Sequence, residues 1–332
     1  MFSGKLSVAV MAAAMICAAT FAEARELKLA SFVPPQHPMD RGAITPMVEA
    51  FNAATNGTST IKIYPSGELG SGPVQQYKRV VTGVADIVFG IPEYTPEQFP
   101  RTTLMNLPGL FDTPDVGTTA LWTHYGLFEP DFAQVKMLAF WTNSPAILIT
   151  REKPVRGIAD LAGMKIRVPD PAAAEMAEAW GAIPVSTPTT EAYNAMSTGV
   201  VDAVWIGPSG IGSYKLHEVG KYLVTNLPSP LATFYLAMNK DSWAALSPAE
   251  QAALEKASGR ELSMAAASAF AKAGEEGLSL ARKAGLEFIT LDDKSTADLR
   301  EKSKPVLDAL AADASSKGGF DAQAILSAVS GR

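Results

Sequence analysis

The sequence contains very little cysteine and histidine, and each shortage excludes a kind of site. Cys17 is the only cysteine, and it lies in an N-terminal segment that we expect to be removed. The mature chain would then have no disulfide, no cysteine nucleophile and no thiolate ligand for a metal. The three histidines, His37, His124 and His217, never occur in the HxxxH or HxH spacing that would place two of them on one element. We therefore predict no metal site.

Basic clusters and long apolar runs are also missing after residue 24. The formal net charge is −6 at pH 7, and the basic residues are scattered among a larger number of acidic ones. This composition excludes the electrostatic footprint of a protein that binds nucleic acid or anionic lipid. No apolar run approaches the roughly 20 residues that span a bilayer, so direct membrane insertion is not predicted. Apolar residues make up 47% of the chain, enough for a core in one large or two ordinary domains.

Residues 1–24, in contrast, have the pattern of an export signal. Lys5 gives a positive start, residues 6–21 are apolar, and Ala22 and Ala24 frame a small-x-small cleavage site before Arg25. A transmembrane anchor is the alternative, but the apolar run is short for a span and a cleavage motif follows it directly. We predict a cleavable signal peptide at residues 1–24 and delivery to a bacterial periplasm.

Strand-like and helix-like segments alternate along the rest of the chain. Apolar runs, some with period two, predict strands at 27–32, 59–64, 86–89, 135–140, 146–150, 165–168, 183–185 and 202–206. Helical patterns are predicted at 46–54, 73–82, 172–180 and 191–197. Repeated strand–helix–strand units are typical of the α/β class, with a parallel or mixed sheet covered by helices. Two sets of such units predict two lobes.

A long helix is predicted near the C-terminus. Ser247 suits an N-cap, Pro248 suits the first helical position, and Glu250 can close a capping box. The helical pattern continues to about Lys283 with Gly285 as its stop, so the helix is long enough to lie across both lobes. Three glycines make a bend in it possible: Gly259, Gly274 and Gly277.

Sequence motifs for catalysis are missing. The chain has no GxSxG elbow. The glycine-rich run 207–212 has neither the Lys-Ser/Thr of a P-loop nor the GxGxxG order of a dinucleotide site. We interpret this run as a flexible turn, and we predict no catalytic residue and no cofactor.

One basic residue lies in an unusual place. Arg167 is inside the short apolar strand predicted at 165–168, which the proline at 169 ends. A buried charge left without its partner costs about 3–5 kcal/mol. The planar guanidinium matches a carboxylate bidentately. The pattern alone leaves three environments for it: a ligand, an internal Asp or Glu, or solvent around its head group.

These segments resemble the DctP-type solute receptors of tripartite ATP-independent periplasmic (TRAP) transporters. The resemblance is carried from 160 onward by DLAGMKIRVP at 160–169, WGAIPV at 180–185, EAY at 191–193 and GVVDA at 199–203. Further matches occur in order along the chain: ATNG at 54–57, GELG at 67–70, GVADI at 83–87, LPGLF at 107–111, MNKD at 238–241 and LSP at 246–248. The resemblance therefore covers nearly the whole chain after residue 24.

The resemblance implies a two-lobed periplasmic-binding-protein fold with a ligand cleft between the lobes and a long helix against both. The implied lobes are discontinuous: residues 25–144 and 233–272 form the first, and residues 145–232 and 273–325 form the second. In the family, the arginine that matches Arg167 makes a salt bridge to the ligand carboxylate inside the closed cleft. The implied partners are a small-molecule carboxylate and the membrane subunits of a TRAP permease.

Departures from the sialic-acid branch of the family indicate the kind of acid. Ile91 stands where that branch has an acidic residue. Ile147 stands where a second arginine reaches the ligand carboxylate, and Ile206 stands where an asparagine lies. Each buried polar ligand atom left unpaired would cost about 1–3 kcal/mol, which disfavours a hydroxyl-rich sugar acid. We predict an apolar or aromatic monocarboxylate, such as a 2-oxo or 2-hydroxy acid, and a dicarboxylate is the alternative.

Aromatic residues near strand ends support this prediction. They are Phe32, Phe89, Tyr94, Trp141, Trp205 and Phe234, and core packing is the alternative for each. Trp205 is the strongest candidate. In the keto-acid branch of the family, a tryptophan and an acidic residue near this point help to hold a metal ion. The acidic residue is absent here, so no metal is predicted. Asp170 has two possible roles, water-mediated contact with the ligand and N-cap of the following helix.

Two other functions were compared with the receptor hypothesis. A lyase or hydrolase acting on the same acids would need a titratable acid–base pair in the cleft, and no spacing in the sequence predicts one. A ligand-sensing partner of a membrane signalling receptor shares the fold and remains an alternative to transport.

Overall fold

The chain forms two β-sheets, each packed against helices, which confirms the α/β prediction. The computed structural model describes residues 25–70 and 72–330, and the predicted signal peptide at 1–24 lies outside them. Among the helices of these ranges, none combines the length and the apolar character needed to cross a membrane.

The first sheet has mixed strand directions. Its strands are β1 (Arg25–Ala30), β2 (Ser59–Tyr64), β3 (Ile87–Gly90), β4 (Val135–Thr142) and β10 (Thr233–Asn239). They lie in the order β2-β1-β3-β10-β4, with β1 parallel to β2 and β3, and β10 antiparallel to β3 and β4. In β1, Leu27 and Leu29 are fully buried whereas Glu26 and Lys28 are exposed. This alternation packs one face of the strand into the core.

The second sheet is built in the same mixed way. Its strands are β5 (Ile147–Thr150), β6 (Lys165–Val168), β7 (Ile183–Ser186), β8 (Ala203–Ile206), β9 (Tyr222–Val224) and β11 (Glu287–Ile289). They lie in the order β11-β9-β5-β8-β6-β7. β6 is parallel to β7 and β8, and β5 is antiparallel to β8 and β9. The two sheets therefore give each part of the molecule its own core.

Helices pack on both sheets. In chain order they are α1 (Thr45–Ala54), α2 (Gln76–Val81), α3 (Pro114–Thr123), α4 (Tyr125–Phe128), α5 (Pro171–Ala179), α6 (Ala192–Ser197), α7 (Gly210–Ser213), α8 (Lys240–Ala244), α9 (Pro248–Lys256), α10 (Gly259–Lys283), α11 (Asp293–Gly318) and α12 (Ala322–Ser330). All residues of β10 are buried, and Leu236 and Ala237 belong to apolar clusters on its two faces. Central strands of this kind are covered by helices on both sides.

The predicted long helix exists as two helices. The start is as predicted, because Ser247 accepts a hydrogen bond from the backbone N–H of Glu250 and the Glu250 carboxylate bonds back in a capping box. α9 then ends at Lys256, and α10 begins at Gly259, whose φ is +79°. This left-handed backbone is accessible to glycine and breaks the helical run. α10 ends before Gly285, as predicted.

The chain passes between the sheets at residues 143–146, at residues 225–232 and along α10. α10 packs against β4 and α3 beside the first sheet and against α7 beside the second. A Cβ atom on Gly277 would lie 2.4 Å from the backbone oxygen of Pro208, so glycine permits the close contact between α10 and the turn after β8. The long helix thus supports both lobes.

The exact lobe boundaries stay a prediction, and the C-terminal end departs from it. The resemblance implies that residues 273–325 belong to the second lobe. The structure instead places Ala322, Ile325 and Val329 of α12 in the apolar cluster on the first sheet. These residues recur at helical spacing and form one apolar face, which is buried against α3 and its neighbours.

Candidate functional site

A cavity of about 90 Å³ lies between the two sheets. A single water needs only about 10–15 Å³, so the cavity has room for a small organic molecule. Nine of the ten residues predicted to bind ligand line it: Phe32, Phe89, Ile91, Tyr94, Arg167, Asp170, Trp205, Ile206 and Phe234. They come from strand ends and the adjoining turns of both sheets, which is where α/β folds commonly bind ligands.

Ile147 is the exception, because the structure does not place it among the lining residues. It pairs with Ile206 between β5 and β8, and its side chain packs in the apolar cluster that includes Ile211 and Leu223. All four residues of β5 are buried, and Ile147 packs in the core instead of facing the cavity.

Arg167 is buried, with only 1% of its surface exposed, and lies in β6 between β7 and β8. Its Nε donates to the backbone oxygen of Thr187 at 2.8 Å, its Nη2 donates to the same oxygen, and its Nη1 donates to the backbone oxygen of Trp205 at 3.3 Å. A guanidinium has five N–H donors, so these carbonyls do not use all of them. None of the ion pairs in the described part of the chain includes this side chain.

The structure bears on two of the three environments that the sequence left open for Arg167. Arg167 has neither an internal salt-bridge partner among the described residues nor its head group in bulk solvent. Burial lowers the pKa of Arg167, which reflects the unfavourable removal of its charge from water, while the hydroxyls of Tyr94 and Tyr214 and the carboxyl of Asp170 oppose that shift. An anion in the cavity would compensate this charge.

Parallel aromatic rings form the opposite wall. Phe89 stacks on Phe32 with 5.0 Å between ring centroids and on Phe234 with 6.0 Å. Phe234 also stacks on Phe270 at 4.7 Å and on Trp141 at 5.7 Å. The register explains this order, because Phe234 on β10 lies directly opposite Trp141 on β4. Flat apolar faces of this kind favour a flat apolar ligand.

Trp205 has a structural role as well as a place in the cavity wall. Its Nε1 donates to Ser229 Oγ at 2.8 Å, and its ring packs on Trp180 with 4.9 Å between centroids. The same residue supplies a carbonyl oxygen to Arg167. Trp205 therefore positions the guanidinium while its neighbour Ile206 lines the cavity.

Asp170 fills the N-cap role that was one of its two predicted alternatives. Its side chain accepts a hydrogen bond from the backbone N–H of Ala173 at 2.8 Å at the start of α5. It also lines the cavity, and burial raises its pKa to about 6. Its contact with a ligand stays a prediction.

Sequence reasoning missed several polar residues of the cavity. Glu93 accepts hydrogen bonds at Oε1 from the backbone N–H of Thr233 at 2.5 Å and from Thr233 Oγ1 at 3.2 Å, and burial raises its pKa to about 8. His37 accepts from the backbone N–H of Met39 at Nδ1, and burial lowers its pKa to about 4. The position of Glu93 just after β3, at the carboxyl end of the strand, was the signal that could have identified it.

Hydrogen bonds connect the two sides of the cavity. Tyr94, in the turn after β3, accepts from the backbone N–H of Thr189 at 3.0 Å, and the two hydroxyls lie 3.2 Å apart. Tyr214 Oη lies 3.2 Å from Thr189 Oγ1. Asn143 and Ala232 bond to each other where the chain passes between the sheets. The cavity is thus closed by polar contacts across the cleft.

The described residues offer no obvious metal site. Within residues 25–70 and 72–330, no group of three His, Asp or Glu side chains is arranged to hold a metal ion. The chemistry that the cavity supports best is recognition, with one cation, two carboxyl groups, neutral hydrogen-bonding groups and apolar walls.

The chain is similar to known proteins along most of its length. Residues 29–313 match the family model DctP, described as bacterial extracellular solute-binding protein, family 7. The chain is 28% identical over 323 residues to the outer membrane transporter protein TsaT of Comamonas testosteroni, covering 96% of this chain and 94% of that one.

Two solved structures are similar over almost their whole length. One is a marine metagenome TRAP solute-binding protein specific for aromatic acid ligands, in complex with metahydroxyphenylacetate, with a TM-score of 0.87, 27% identity, and coverage of 92% of this chain and 98% of that one. The other is a TRAP periplasmic solute-binding protein of Bordetella bronchiseptica with bound (R)- and (S)-mandelate, with a TM-score of 0.83, 30% identity, and the same coverage.

Proposed function

Since this chain belongs to the DctP family of extracytoplasmic TRAP solute receptors, we propose that its ligand is an aromatic or apolar monocarboxylate held by Arg167. The receptor closes on this acid in the periplasm and delivers it to a TRAP-type membrane permease. The observation that carries the proposal is a buried arginine that forms no salt bridge among the described residues, in a cavity whose other wall is stacked aromatic rings.

The charge balance supports an acid with one carboxylate. Arg167 is the only arginine or lysine among the residues that line the described cavity, and the low pKa of His37 keeps that ring neutral near pH 7. A second ligand carboxylate would have to be buried without a cation, beside Asp170. The apolar walls match an aromatic or aliphatic body, and similar proteins bind metahydroxyphenylacetate and mandelate.

A thermal-shift screen of organic acids tests the proposal. Tight ligands raise the unfolding midpoint by mass action, so benzoate, phenylacetate, mandelate and their 2-oxo analogues should raise it. Succinate and galacturonate serve as a dicarboxylate and a hydroxyl-rich control and should leave it unchanged. Shifts with the two controls and none with the aromatic acids would show that the ligand class is wrong.

One observation favours an enzyme, because the cavity holds two carboxyl groups with raised pKa, Glu93 and Asp170. Both are already engaged by backbone N–H groups, and the family consists of transport receptors. Recovery of unaltered mandelate after hours with the protein would support the receptor, whereas a converted product would support catalysis.

A further inference from the structure

Glu93 has a buried polar atom that the described residues leave without a hydrogen bond. Its side chain is 3% exposed, and it follows β3 in the wall of the cavity. Oε1 is occupied by the N–H and the hydroxyl of Thr233. Oε2 is buried and has no hydrogen-bond partner among the described residues. A buried polar atom without a partner is costly, and Glu93 lines the cavity, so a bound ligand could complete the hydrogen bonds of this oxygen.

The surroundings of Glu93 determine which form of the carboxyl is stable. Burial is the main cause that raises its pKa to about 8, and the charge of Asp170 adds to the effect. The phenol of Tyr235 also interacts electrostatically with Glu93. Arg167, Tyr94, Tyr214 and His37 line the same cavity. At pH 7 the group is therefore mostly neutral. Because Oε1 accepts from Thr233, the proton belongs on Oε2, where it makes an O–H donor.

We propose that Glu93 is a specificity-determining residue whose Oε2–H group donates a hydrogen bond to an uncharged oxygen of the ligand. The ligand class is thereby narrowed to aromatic acids that carry a hydroxyl or carbonyl oxygen in addition to the carboxylate. This inference rests on the proposed function, in which Arg167 holds the carboxylate from the second sheet while Glu93 approaches from the first.

The expected ligand preference has a physical basis, because a buried donor distinguishes ligands that can accept its hydrogen bond from ligands that cannot. A site built to hydrogen-bond a ligand oxygen rejects the analogue that lacks it, because the buried donor is then left unpaired. The expected preference is about tenfold or more in affinity.

Calorimetric titrations with matched acids test this inference. Phenylacetate is compared with mandelate and with 3-hydroxyphenylacetate, at pH 7 and pH 9, on the wild type and on three variants. Glu93→Gln keeps an oxygen for Thr233 and places an amide N–H at Oε2. Glu93→Met removes the donor, and Glu97→Gln makes the same chemical change at an exposed position of the same segment.

The wild type should bind at least one hydroxylated acid about tenfold tighter than phenylacetate at pH 7. Its affinity for that acid should fall about tenfold at pH 9, since the carboxyl must take up a proton to bind. His37 and Asp170 titrate below this range. Glu93→Gln should keep the preference at both pH values, Glu93→Met should lose it, and Glu97→Gln should match the wild type.

Several results would overturn the inference while leaving the proposed function intact. One is equal affinity of the wild type for all three acids. The others are an unchanged preference of Glu93→Met for the hydroxylated acid over phenylacetate, and a loss of affinity at pH 9 that is the same in Glu93→Gln as in the wild type. If Glu93→Met does not fold, the comparison of Glu93→Gln with the wild type decides. Absence of binding for all three acids, or binding that survives Arg167→Ala, would instead overturn the proposed function.

Discussion

Single residues of the cavity differ in whether the protein completes their hydrogen bonds. Arg167 receives two backbone carbonyl oxygens, which solvate part of the guanidinium but do not neutralise it. Asp170 is satisfied by the start of α5, whereas Glu93 keeps one oxygen without a partner among the described residues. In our proposal the groups left incomplete select the ligand, because a carboxylate suits the first and an uncharged oxygen suits the last.

The stability of the protein should depend on pH through Glu93. Its pKa is raised from 4.5 to about 8, so the folded state binds a proton more tightly than the unfolded state between these values. Stability should therefore fall as pH rises from about 4.5 to about 8, and Glu93→Gln should remove that loss. Measured by thermal unfolding, the free energy of unfolding of the variant should match that of the wild type near pH 4.5 and exceed it at pH 9 by on the order of 2–4 kcal/mol. A variant that is less stable than the wild type at pH 9 would contradict this assignment.

The sequence predicted Arg167 but not Glu93, for a physical reason. A cation inside an apolar strand conflicts with its immediate neighbours, so its unusual environment is visible in the sequence. Glu93 lies in a polar turn, where an acidic residue is ordinary, and the residues that interact with it, Thr233 and Tyr235 of β10, are far away in the chain. Local pattern cannot show a partner that only the tertiary fold supplies.

Among the elements, α10 packs so closely on the turn after β8 that one of its positions requires glycine. Gly277 lies against Pro208 and Ile211, so Gly277→Ala should push the helix away from the turn after β8. Although alanine favours helix, overpacking costs about 1–3 kcal/mol, and a net loss of stability is expected. Chemical denaturation measures it. Gly126→Ala in α4 is the matched control, because a Cβ there meets nothing within 4 Å. Equal stability of the two variants would show that the close contact is unimportant.

Prediction of elements from sequence succeeded where local signals are strong. β2 and β6 have the predicted bounds, and the capping residues at Ser247 mark the start of α9. β10 was not predicted as a strand, because its uninterrupted buried run has no alternation that distinguishes it from a buried helix. The break at Gly259 was foreseen only as a possible bend.

At the scale of the whole molecule, the described cleft is closed by few polar contacts. The hydroxyl of Tyr94, in the turn after β3 of the first sheet, accepts a hydrogen bond from the backbone N–H of Thr189. Thr189 precedes α6, beside the second sheet. Receptors of this shape bind by closing, so a contact that exists only when the cleft is closed contributes to affinity. Two lobes could be predicted from the alternating pattern, whereas the contacts between them depend on tertiary structure.

Tyr94→Phe should weaken ligand binding without reducing fold stability greatly. Loss of one hydrogen bond of about 0.5–1.5 kcal/mol corresponds to roughly three- to tenfold in affinity. Tyr64→Phe, which removes an exposed hydroxyl bonded to Glu26, is the control and should bind as the wild type does. Calorimetry with mandelate measures both. Unchanged affinity in Tyr94→Phe would show that this contact does not support closure.

The receptor mechanism depends most on the guanidinium of Arg167. Calorimetric titration of Arg167→Ala with the tightest acid from the thermal-shift screen measures its role directly, with Lys165→Ala on the exposed side of the same strand as control. Loss of a buried charge partner should weaken binding by about 3 kcal/mol or more, which is over a hundredfold, while Lys165→Ala should keep the wild-type affinity. Wild-type affinity in a folded Arg167→Ala protein would contradict the account.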